Sequence, residues 1–116
     1  MIQVENTKDL NEEGKLSTMN MFLKSQLDLE NDDLANISNA TAIIKASIDN
    51  LNWAGFYFMR ENELVLGPFQ GLPACNRIKI GSGVCGTAVE SRRIQLVADV
   101  HLFPGHITCD FASNSE

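Results

Sequence analysis

The sequence predicts an α+β domain with an antiparallel sheet, and three observations carry that prediction. Two stretches in the first half repeat apolar residues every three or four positions, the period of a helix with one buried face. From Trp53 the pattern changes to short aromatic and β-branched runs separated by polar turn residues, a hairpin signal. A length of 116 residues, with 44% hydrophobic and 21% charged, suits one globular domain with its own core and is too short for two.

Taken in order, residues 1–15 are polar and acidic, closed by Gly14, and are expected to form an N-terminal arm. The domain proper is expected to occupy residues 16–116. Leu16, Met19, Leu23 and Leu27, with Phe22 beside Met19, predict a first helix. An acidic linker from Asp28 to Asp33 follows, with Asp32 or Asp33 placed to cap a second helix. That helix carries its stripe at Leu34, Ile37, Thr41, Ile44 and Ile48. Both helices are expected to pack on a sheet, and neither holds a ligand cluster.

Trp53 to Met59 and Leu64 to Phe69 read as strands joined by the turn residues Arg60 to Glu63. Gly67-Pro68 and Gly71-Leu72-Pro73 are expected to break the second strand, because proline cannot donate to a ladder, leaving a loop that carries Cys75. Arg77 to Ile80 predicts a short strand, Gly83 to Ser91 a short helix, and Gln95 to Val97 another strand before an irregular segment from Asp99 onward.

Charge and composition narrow the function. A net charge of −6 and a pI near 4.8 supply no basic footprint for phosphate backbones, so neither nucleic acid nor an anionic membrane is an expected partner. No apolar run approaches the roughly 20 residues that span a bilayer. The opening MIQVENTKDL has no basic or apolar leader pattern, so the expected compartment is the cytoplasm. Three cysteines are an odd count for a disulfide framework, which leaves buried thiols, metal ligands or redox thiols.

All three cysteines, both histidines and the only tryptophan lie between Asn52 and Glu116, so chemistry is sought there. Gly81-Ser82-Gly83-Val84-Cys85-Gly86 has the G-x-G-x-x-G form, with Asp99 where a ribose-binding acid would stand. A doubly wound sheet needs further βα units, and only 17 residues follow Asp99. The plainer reading is a tight turn and close helix packing, with first-turn amides raising the acidity of Cys85. Cys75, Cys85, His101, His106 and Cys109 are of types that suit zinc. Their spacing does not, for the cysteines are 10 and 24 residues apart with no C-x-x-C pair; no metal and no cofactor are expected, and the histidines also read as polar loop residues.

Thiol redox chemistry asks only that separated cysteines meet in the fold. A nucleophilic thiol takes oxygen from an oxidised sulfur as a sulfenic acid, and a second thiol resolves it as a disulfide. Cys109 is the natural nucleophile because Gly105 to Asp110 is irregular and expected at the surface. Cys75 sits in the proline-broken loop. Trp53 either lines a pocket for a thioether or methyl group or belongs to the sheet core.

Taken together, NWAGFYF (52–58), LGPFQGLPAC (66–75), GVCGTA (83–88), ADVHLFPGHITCD (98–110) and SNSE (113–116) resemble the free methionine-R-sulfoxide reductases, enzymes built on the GAF fold. The resemblance implies a GAF-like central antiparallel sheet flanked by helices and an activity that reduces the R-sulfoxide of free methionine. It also implies that Cys109 is the catalytic nucleophile, Cys75 the resolving thiol and Cys85 an auxiliary or alternative one. Trp53 would contact the substrate methyl group, Glu116 would engage the substrate and help protonate the departing oxygen, and thioredoxin would reduce the disulfide. A homodimer is left open. Such reductases continue beyond the SNSE motif with an apolar strand, a turn bearing two further active-site aspartates, a strand and a closing helix, so a domain incomplete at its C-terminus is expected. The alternatives are a GAF-type module that binds a small molecule without catalysis, or an inactive truncated fragment.

Overall fold

The computed structural model describes residues 10–107 and 113–116. Among these the order of elements is α1 (Glu12–Leu29), α2 (Asp33–Ser47), β1 (Ala54–Arg60), β2 (Glu63–Gln70), β3 (Arg77–Lys79), α3 (Gly83–Ser91) and a 3-10 turn (Val100–Leu102). The chain divides into two compact units. One runs to Phe56 and includes Pro68–Gly71; the other comprises Tyr57–Gly67 and Leu72–Glu116. No helix among the described residues is long and apolar enough to cross a membrane.

In the first unit, α1 begins before the apolar stripe does. Asn11 caps it by accepting a 2.8 Å hydrogen bond from the Gly14 amide, and Glu12 and Glu13 place negative charge on the first turn, where the helix dipole favours it. Gly14 therefore lies inside a helix that the apolar period alone started at Leu16. Asp32 caps α2 through the Ala35 amide at 2.8 Å, one of the two expected caps.

The contact between α1 and α2 includes a cluster of paired amides, which the hydrophobic stripe did not foretell. Gln26 Nε2 donates to Asn36 Oδ1 at 3.2 Å, Asn39 Nδ2 donates to Gln26 Oε1 at 3.1 Å, and Asn36 Nδ2 donates to the Glu30 carbonyl at 2.9 Å. Gln26, Asn36, Thr41 and Ser47 are buried beside Ile43, whereas Leu16, Leu27 and Leu34 are 47%, 62% and 63% exposed. Periodicity counts apolar residues and gives no weight to amides that satisfy one another, yet a paired amide is buried at little cost.

The sheet has the order β1-β2-β3. Its hairpin turns through Glu61 and Asn62, both at positive φ (50° and 68°), the backbone hand that matches strand twist. β2 and β3 run antiparallel, pairing Glu63 with Lys79, Leu64 with Ile78 and Val65 with Arg77. Leu64 and Ile78 are both buried, and Glu63 accepts an ion pair from Arg77.

Contrary to expectation, β2 runs unbroken through Gly67-Pro68. The Leu66 amide donates to the Asn76 carbonyl at 2.9 Å, so by the two-residue alternation Pro68 turns its donor-less nitrogen to the same edge. The register of β3 stops at Val65, and no ladder bond is missed there.

The expected strand at Gln95 to Val97 does not form. Val97 instead exchanges both backbone hydrogen bonds with Glu116, at 2.6 and 2.9 Å, and the Val100 amide donates to the Asn114 carbonyl at 2.9 Å. Val100 is fully buried, worth about 2 kcal/mol of apolar burial at the point where these segments meet.

Candidate functional site

The turn from β3 into α3 brings the first cysteine to the site. The Gly81 amide donates to the Gly86 carbonyl at 2.9 Å and the Gly86 amide to the Ser82 carbonyl at 3.1 Å. Gly81 and Gly83 hold φ of 85° and 65°, and a Cβ at Gly86 would strike the Lys79 carbonyl oxygen. The glycines thus serve close packing of α3 on β3. Asp99 accepts hydrogen bonds from the His101 amide and ring, at 3.0 and 2.8 Å, and these hold its carboxyl below the usual range. With an antiparallel sheet and this capping role for Asp99, the dinucleotide reading has no support in the fold.

Cys85 sits in the first turn of α3, half-buried, as a free thiol. Burial pushes it up from its ordinary 9.0, the Glu116 carboxylate pushes it further, and a backbone hydrogen bond opposes them. The expectation that helix amides make Cys85 acidic is therefore overturned. Desolvation and a neighbouring negative charge outweigh the amides, since both disfavour the thiolate.

Cys75 lies in the loop between β2 and β3, half-buried and disulfide-bonded. Its carbonyl accepts a 2.8 Å hydrogen bond from the Tyr57 hydroxyl on β1. Burial, followed by the charges of Cys85 and Glu116, pushes the Tyr57 phenol up to about 12. Tyr57 thus shares surroundings with Cys75, Cys85 and Glu116, and sequence reasoning passed over it; the one available signal was a lone tyrosine whose hydroxyl needs a partner in a half-buried strand.

Glu116 is held by its backbone exchange with Val97, and its Oε1 stands 3.5 Å from His106 Nε2. His106 is 13% exposed, while His101 is 68% exposed and turned to Asp99. Among the described residues no three His, Cys, Asp or Glu side chains gather to hold a metal. Cys109, the expected nucleophile, lies outside the described residues, as does Asp110.

Trp53 belongs to the other unit, where its ring stacks on Phe69 with centroids 5.5 Å apart and planes inclined by 18°. A Cβ at Gly55 would come within 2.5 Å of both Trp53 Cη2 and Phe69 Cβ, and one at Gly71 within 2.7 Å of Trp53 Cδ1. The indole is seated in a notch that two glycines leave open.

No family model matches the chain. It is 54% identical over 83 residues to the free methionine-R-sulfoxide reductase of Escherichia coli, covering 72% of this chain and 50% of that protein. The fRMsr structure of Staphylococcus aureus in its reduced form superposes with a TM-score of 0.82 at 45% identity, over 99% of this chain and 70% of that one; the same protein has also been solved in complex with substrate. A GAF domain structure superposes with a TM-score of 0.88 at 40% identity, over 95% of this chain and 66% of that one. The fold is therefore of the GAF type, as the sequence motifs implied. The chain spans 50% to 59% of the length of the first curated relatives it matches.

Proposed function

The chain belongs to the free methionine-R-sulfoxide reductase family, and from that premise we propose that it reduces free L-methionine (R)-S-oxide to L-methionine with thioredoxin as electron donor. The observation that supports the reading, beside the family itself, is that two of the cysteines stand in different states. Cys75 is engaged in a disulfide while Cys85 stays a free thiol with its proton held on.

In the proposed cycle the Cys109 sulfur takes the sulfoxide oxygen, so methionine leaves reduced and Cys109 becomes a sulfenic acid. Glu116, fixed by Val97 and facing His106, engages the substrate and passes a proton to the departing oxygen. The Cys75 thiol then attacks the sulfenic sulfur; the S–S bond forms and water leaves with the thiol proton. Thioredoxin donates two electrons and two protons to regenerate both thiols. Cys85, kept neutral, is a poor nucleophile in this state, which suits an auxiliary role. The stacked indole of Trp53 supplies a wall for the substrate methyl group.

The test follows methionine released from the racemic sulfoxide with thioredoxin, its reductase and NADPH. Loss of the R form alone is expected; persistence of the R form sinks the proposal. Cys109→Ser is expected to abolish turnover, and Cys75→Ser to let sulfenic acid accumulate, read by trapping with a dimedone-type probe. Full turnover in Cys109→Ser would overturn the assignment of the nucleophile.

A further inference from the structure

Cys75 lies in a stretch, Gly71–Asn76, that carries no ladder of its own between β2 and β3. Two hydrogen bonds on successive carbonyls tie its end down: the Leu66 amide reaches Asn76 at 2.9 Å, and the Tyr57 hydroxyl reaches Cys75 at 2.8 Å. The second bond joins residues 18 apart in sequence and meets the backbone carbonyl of the cysteine, not its sulfur. Disulfide closure demands Cα atoms within about 7 Å, so whatever fixes the backbone of a loop cysteine sets how often its sulfur is in reach.

We propose that Tyr57 is a positioning residue for the resolving thiol, docking the Cys75 loop through the bond from its hydroxyl to the Cys75 carbonyl. The assignment of Cys75 as resolving thiol rests on the reductase reading; the docking bond does not. Tyr57 is suited to the part because it sits within β1 and its hydroxyl keeps its proton up to about pH 12, so it donates through the whole physiological range. In the step concerned, the Cys75 thiol attacks a sulfenic sulfur, an S–S bond forms, and water departs with the thiol proton.

The experiment uses the full chain, reduced and then given a pulse of oxidant, with sulfenic acid trapped at intervals and the Cys75 disulfide counted by mass spectrometry. One arm uses methionine sulfoxide as oxidant and the other hydrogen peroxide, which oxidises a thiol to the same sulfenic acid without the substrate. Tyr57→Phe is expected to lengthen the life of the sulfenic acid about 5-fold, the effect of losing one neutral hydrogen bond. A fluorotyrosine at position 57, which keeps the donor, is expected to close as the wild type does, whereas a merely structural defect would not be rescued in this way. Equal lifetimes in Tyr57→Phe and wild type, or absence of a Cys75 disulfide from the oxidised wild type, overturn the proposal. Delay in the peroxide arm with no methionine formed in the other would support the docking role and sink the reductase reading, so the two failures are separable.

Discussion

Gly55→Ala probes the seat of Trp53. The added methyl lies 2.5 Å from Trp53 Cη2 and Phe69 Cβ and 2.9 Å from Trp53 Cζ2, roughly 1 Å inside ordinary van der Waals contact on two sides at once. Neither neighbour can simply rotate away, because the two rings stack on each other at 5.5 Å. Overpacking of this kind costs about 1–3 kcal/mol, and the lower entropy of an unfolded chain with Ala in place of Gly returns about 0.4–1 kcal/mol. A net loss of about 1–2 kcal/mol follows, a fall in Tm on the order of 4–8 °C for a chain of this size. The assay is direct, since Trp53 is the only tryptophan and its emission reports its own displacement during the same melt. On the proposed role of Trp53 as a wall for the substrate methyl group, KM is expected to rise by up to about 10-fold as the sulfur–aromatic contact loosens. An unchanged melt with unchanged emission would refute the reasoning, for it would mean the notch has room for a methyl.

Asn36→Ala removes both the acceptor for Gln26 and the donor to the Glu30 carbonyl, leaving a buried amide short of a partner; urea unfolding is expected to show about 2–4 kcal/mol of destabilisation. Pairing Gln26→Met with Asn36→Leu is expected to recover most of it. Glu116→Gln removes the second cause of the raised Cys85 pKa, so the pH dependence of iodoacetamide labelling at Cys85 is expected to move to lower pH, and no movement would contradict the proximity of the two groups. Because that thiol is raised on folding, its contribution to stability is intact below 9.0 and is lost as pH climbs through the higher folded value. Cys85→Ala is expected to flatten the pH–stability curve in that alkaline window.

Much of the fold was legible because its causes are local. The helical period around Met19 and Leu23, the Asp32 cap and the polar turn at Glu61-Asn62 each depend on residues within one turn of chain. Where inference failed, a partner from elsewhere decided the matter. Proline in β2 is harmless only because β3 ends before its register. The helices meet through Gln26 and Asn36 only because three amides happen to close on one another.

The sequence by itself determined the family, the cysteine set and the residues able to do redox chemistry, since wording and spacing survive without coordinates. Only the tertiary structure decided the state of those residues. Cys85 faces a carboxylate 31 positions away in sequence, and that charge together with burial reverses the effect of the helix amides on its thiol. Tyr57 enters the site through a hydrogen bond to a carbonyl that no motif marks. Proton affinity and loop position are set by what lies nearby in space, and a sequence does not state that.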